Sequence, residues 1–94
     1  MAQIHTLHIL NKAPEHPRSG ECLRSLNPGD ALLLIENAVL ALATPGELTA
    51  GIPVYALSPD VLARGLAQTA RKASLVDFPA MVELTAQAQK VISW

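Results

Sequence analysis

The sequence predicts a three-layer α/β/α domain built on a mainly parallel sheet of about five strands, and three observations predict it. Aliphatic runs recur at residues 4–10, 31–35 and 52–57. The second and third lack polar alternation, the pattern of strands covered on both faces. Between successive strand candidates lie 14 to 20 residues carrying helix-start chemistry. That spacing suits parallel strands joined through crossover helices. The 94 residues fit one domain, 1–94.

The elements follow in order. Residues 4–10, 31–35 and 52–57 are the first three strands, residues 74–76 a short fourth, and residues 91–94 the last. A helix is expected over 19–26, stopped by Asn27-Pro28-Gly29. A short helix over 37–43 is closed by Thr44-Pro45-Gly46, and residues 45–51 read as a surface loop. Ser58-Pro59-Asp60 is a helix start, with Ser58 as N-cap and Pro59 at the first helical position. Val61, Leu62, Leu66 and Ala70 then share one stripe. Asp77 caps the final helix, in which Phe78, Met81, Val82 and Thr85 recur at helical spacing. Strand order cannot be deduced from these patterns.

Composition narrows the function classes. Half the residues are hydrophobic, only 16% are charged, and aromatic residues make up 3%. A chain of this size buries only about 60–65% of its unfolded surface, so the apolar excess points to a subunit interface. Seven basic against eight acidic residues give a net charge of −1, and the longest basic run is Arg71-Lys72. Direct nucleic-acid binding is therefore not expected. No apolar run approaches the roughly 20 residues of a membrane span, and no signal peptide is read at the start. The single cysteine allows no internal disulfide and fits a reducing compartment.

Few residues offer chemistry. There is no Gly-rich phosphate loop, no dinucleotide fingerprint and no Cys/His cluster of metal spacing, so neither a cofactor nor a metal is expected. His5 and His8, three apart, should face opposite sides of the first strand as ordinary polar positions. His16, in a Pro-flanked loop, reads as a solvated side chain. Asp30 reads as turn chemistry after Gly29, and Asp60 and Asp77 as helix-start residues. Glu36 and Asn37 follow the second strand, at the sheet edge where ligands and partners bind in open α/β folds. Cys22 is the one nucleophile. If the helix begins near Ser19, Cys22 lies in its first turn, where unpaired N–H groups, helped by Arg18 and Arg24, favour thiolate. The alternative is a small apolar residue packed in the core near Leu26.

Four stretches, in order and nearly spanning the chain, resemble one family. Residues 5–14 (HTLHILNKAP) look like an opening LHTLNKSP. Residues 26–39 (LNPGDALLLIENAV) look like a GDALLLI segment. Residues 54–66 (VYALSPDVLARGL) look like VYAL followed by ARGL, and residues 76–85 (VDFPAMVELT), with Ser93-Trp94, look like the closing stretch. The sequence thus resembles the TusB/DsrH family. It departs most at residues 43–51, and it has Phe78 where Tyr is more usual.

The resemblance implies a Rossmann-like subunit of a cytoplasmic sulfur-relay complex that passes sulfur as cysteine persulfide. Its partners would be two homologous sister subunits (TusC/TusD-like or DsrF/DsrE-like) in a heterohexamer, together with a downstream sulfur-accepting protein. The pathway would be 2-thiolation of the tRNA wobble uridine or dissimilatory sulfur oxidation. Cys22 matches the first-helix cysteine of the DsrH-like branch, a candidate accessory carrier, while the principal carrier lies on a sister subunit. The chain is then a sulfur carrier or structural subunit more than a self-sufficient catalyst. It is expected to self-associate when its sisters are absent. The alternatives are a purely structural subunit with an inert Cys22, or a stand-alone small-ligand-binding α/β module.

Overall fold

The computed structural model describes residues 3–43, 51–66 and 73–94. Five strands, β1 (Ile4–Leu10), β2 (Ala31–Leu34), β3 (Val54–Leu57), β4 (Ser74–Val76) and β5 (Ala88–Ser93), form one sheet in the order β4-β3-β2-β1-β5. Every pairing is parallel. The helices are α1 (Pro17–Arg24), α2 (Ser58–Ala63) and α3 (Phe78–Gln87), with a 3-10 helix at Glu36–Ala43.

Alternation along β2 divides the core in two. Leu32 and Leu34 join Leu10, Cys22, Ala38, Val39, Leu42, Ala56 and Val61. Ala31 and Leu33 join Ile4, Leu7 and Leu84, with Met81 packed against them. Successive strand residues point to opposite faces, so α1, α2 and the 3-10 helix cover one side of the sheet and α3 the other. All four β2 side chains are buried, which explains the uninterrupted ALLL run.

Local chemistry moved several boundaries. Helix α1 starts at Pro17, two residues before Ser19, because His16 caps it: its Nδ1 accepts from the Arg18 N–H at 3.0 Å. Ser19 is buried and donates to the Ala13 carbonyl at 2.7 Å instead of capping. Helix α2 begins at Ser58, but its N-cap is Leu57 and no side chain caps it. Asp60 turns outward and accepts from the Glu36 N–H at 2.7 Å, tying α2 to the end of β2. Asp77 does cap α3, accepting from the Ala80 N–H at 2.9 Å. Strand β5 starts three residues earlier than expected, at Ala88, since pairing with β1 organises a segment that opens Ala-Gln-Lys, without an aliphatic run. Ala70, Arg71-Lys72 and most of the expected loop at 45–51 lie outside the described residues.

Candidate functional site

Cys22 is the sixth residue of α1 and is fully buried. The early start of the helix takes the thiol out of the first turn, where free N–H groups would have favoured thiolate. Its neighbours are aliphatic: Leu10, Leu32, Leu34 and Ala38 belong to the same core cluster. Burial with no compensating partner pushes the thiol pKa up to about 11. A volume of about 160 Å³ lies near α1, lined by Leu10, Ser19, Leu23, Leu32, Leu34 and Ala38, with Lys12 among its walls.

A second constellation was not visible in the sequence. Asp30 stands at the start of β2, beside β1, and is 4% exposed. Its Oδ2 receives the His8 Nε2 at 3.0 Å and the Asn27 N–H at 3.1 Å. The other ring nitrogen of His8, Nδ1, accepts from the Trp94 indole N–H at 3.1 Å. The indole can only donate, so Nδ1 must carry the lone pair and Nε2 the hydrogen. The two rings lie nearly parallel, 19° apart with centroids separated by 6.1 Å. Trp94 itself is tied down through its main chain. Its N–H donates to the Ile9 carbonyl at 2.9 Å, and its own carbonyl accepts from the Lys12 ammonium at 2.9 Å.

His5 and His8 do not point apart as strand alternation suggested: both rings reach the Asp30 carboxylate. His5 Nδ1 lies 3.5 Å from Oδ1, while its side chain is 62% exposed. Oδ1 is buried and without a hydrogen-bond partner. Desolvation raises the pKa of Asp30, but the hydrogen bonds from His8 and the Asn27 N–H outweigh it, and the carboxyl is held below its ordinary value. The turn reading of Asp30 therefore captured only its bonds to Asn27. The unusual position of His8 inside an aliphatic run was the available signal for the rest.

Glu36 and Asn37 stand where the sequence put them, past the C-terminal end of β2. Glu36 adopts φ +50°, a left-handed conformation that a non-glycine residue rarely takes. The Asp60 carboxylate holds it there through its N–H, and Arg64 donates to the Asn37 side-chain oxygen at 3.0 Å. Among the described residues no group of three or more His, Cys, Asp or Glu is placed to hold a metal, and no helix is long and apolar enough to cross a membrane.

The family model described as DsrH like protein matches residues 12–91. The chain belongs to the DsrH family. Within this family of sulfur-relay components, the chain is 36% identical to Protein TusB of Pectobacterium carotovorum, with 94% of this chain and 99% of that protein covered. It is 38% identical to Protein TusB of Enterobacter sp. strain 638 and 34% identical to that of Escherichia coli K12, at the same coverage. Among solved structures, the crystal structure of the Escherichia coli ychN protein superposes with a TM-score of 0.78. It covers 97% of this chain and 99% of that one, at 20% identity, and this likeness concerns the fold alone. The solution structure of Thermotoga maritima protein Tm0979 gives 0.69 at 28% identity, covering 86% and 91%. The DsrH family assignment agrees with the parallel α/β sheet described above.

Proposed function

We propose that this chain is a subunit of a cytoplasmic sulfur-relay complex, supporting cysteine-persulfide transfer beside two homologous sister subunits and passing sulfur to a downstream acceptor. The observation that carries this reading is the match to TusB proteins along almost the whole of both chains. As the pathway served, 2-thiolation of the tRNA wobble uridine comes first, with dissimilatory sulfur oxidation as the alternative. Large exposed apolar side chains, Phe78 and Val82 on α3 and Leu75 on β4, supply surface for partner subunits.

Cys22 enters as an accessory carrier under one physical condition. In transfer, its thiolate attacks the terminal sulfur of a donor persulfide. A new S–S bond forms on Cys22, the donor's S–S bond breaks, and the donor leaves as thiolate, with no net oxidation. A thiol with a pKa of about 11 is thiolate in only about one molecule in 10⁴ at pH 7, and a buried sulfur cannot be reached. Transfer through Cys22 thus requires α1 to lift from the sheet on partner binding. The burial of Cys22 also favours a second reading, in which the working thiolate belongs to a sister subunit and Cys22 only packs the core.

Deletion of the gene, with analysis of both tRNA nucleosides and sulfur oxidation, tests the pathway. Loss of 2-thiouridine is expected, and restoration by the intact gene. Stalled sulfur oxidation with normal tRNA would move the chain to the other branch, and no change in either would overturn the relay reading. Mass spectrometry of the loaded complex separates the roles of Cys22: one added sulfur on this chain marks a carrier, and its absence while a sister is loaded marks a packing residue.

A further inference from the structure

A polar cleft beside β1 and β5 does not include Cys22 in its lining. It encloses about 300 Å³ and is lined by His5, His8, Asn27, Asp30, Lys90 and Trp94, among others. Three features define what it accepts. The first is a carboxylate oxygen, Asp30 Oδ1, buried and without a hydrogen bond. Leaving such an acceptor unmet is costly, and more so when the group is ionised. The second is charge. His8 accepts from Trp94 at Nδ1 and donates to Asp30 from Nε2, so a ring in that state brings no positive charge. The nearby Lys12 ammonium is engaged by the Asn11 side chain and the Trp94 carbonyl. The third is the indole of Trp94, fixed in place at the cleft wall by three hydrogen bonds, one of its ring and two of its main chain.

We infer that this cleft receives the guanidinium of an arginine side chain presented by a partner protein. Guanidinium is planar and weakly hydrated, stacks on indole, and donates hydrogen bonds to carboxylate from a rigid fork. An ammonium group would lose more hydration to gain one bond. A metal ion is disfavoured because both nitrogens of His8 are already committed. His5 is the cover: its ring lies 3.5 Å from Oδ1 but bonds the Thr6 hydroxyl at 2.9 Å, and it is mostly exposed. An entering guanidinium displaces it and completes the bonding of Asp30. Lys90 on the rim competes as a cation.

Trp94 is the only tryptophan, so its indole N–H gives a single NMR resonance inside the cleft. The full chain is titrated with N-acetyl-arginine amide and, separately, with N-acetyl-citrulline amide, which has the same shape without the charge. The arginine probe should shift the Trp94 indole resonance saturably in the millimolar range, and the citrulline probe should not. His5→Ala, at an exposed position whose loss leaves the core intact, should tighten arginine binding severalfold, and Lys90→Ala should tighten it further. Equal response to both probes, no response to arginine, or arginine binding unchanged or weakened in His5→Ala would each overturn the inference.

Discussion

Cys22 and Asp30 are both ionisable, both buried, and lie on elements that flank the same strand, yet the fold treats them oppositely. Cys22 is surrounded by aliphatic side chains, and burial alone raises its pKa to about 11. Asp30 suffers the same desolvation, but a His8 N–H and a backbone N–H meet Oδ2, and its pKa falls. The difference teaches that depth does not set charge: the supply of donors does. One residue is stored as a neutral thiol, and the other is kept as an anion with one oxygen in reserve.

The largest effect is expected from breaking the Asp30 network. His8→Ala strands a buried carboxylate oxygen and the Trp94 indole N–H together, and each buried group left unmet typically costs about 1–3 kcal/mol, more when it is ionised. Urea denaturation should show that loss, and one below about 1 kcal/mol would mean that water readily takes the place of His8. The pH dependence carries the same test. The Asp30 pKa is depressed in the fold, so its contribution is fully present above the ordinary aspartate pKa. It is lost as pH falls through the lower folded value. Asp30→Asn should therefore flatten the acid limb of stability against pH, and an unchanged limb would contradict the ionised state.

Cys22→Ser comes next. It places a hydroxyl among leucines with no partner and should cost about 1–3 kcal/mol, whereas Cys22→Ala should cost less than Cys22→Ser. The reverse order would show that the thiol site is polar or wet. Smaller still are the helix starts. Asp77→Ala removes a cap and should cost about 0.5–2 kcal/mol. Ser58→Ala removes no cap bond and should stay within about 0.5 kcal/mol.

What the sequence revealed follows the range of the interactions involved. Strands β1 to β4 were legible because aliphatic runs and turn residues are local signals, and the Asp77 cap was legible because it acts over three residues. Ser58 misled because the helix starts one residue earlier, with Leu57 at the cap position and Ser58 already inside the first turn, while Asp60 is engaged by the Glu36 N–H across 24 residues. The start of α1 shifted because an unusual cap, His16, preceded Pro17. That two-residue shift took Cys22 out of the first turn, and the face on which it lies packs against Leu10, Leu32 and Leu34 in the core. The Asp30 constellation was illegible for a different reason. It joins residues 22 and 86 positions apart, and it exists because β5 pairs with β1 at the sheet edge. That order is set by three-dimensional packing, and no local pattern encodes it. The resemblance to the family was carried by runs that include His8, Asp30 and Trp94, without indicating that they meet.

The state of Cys22 joins the fold to its function most directly, and alkylation of its thiol measures that state. The rate of iodoacetamide labelling, followed by mass spectrometry, is compared for the folded chain, the urea-unfolded chain and the chain assembled with its sister subunits. The account predicts slow labelling of the folded chain, at least a hundredfold below the unfolded chain at neutral pH, with any acceleration confined to the assembled state. Labelling of the isolated folded chain as fast as the unfolded one would contradict it, because the thiol would then be neither buried nor held neutral.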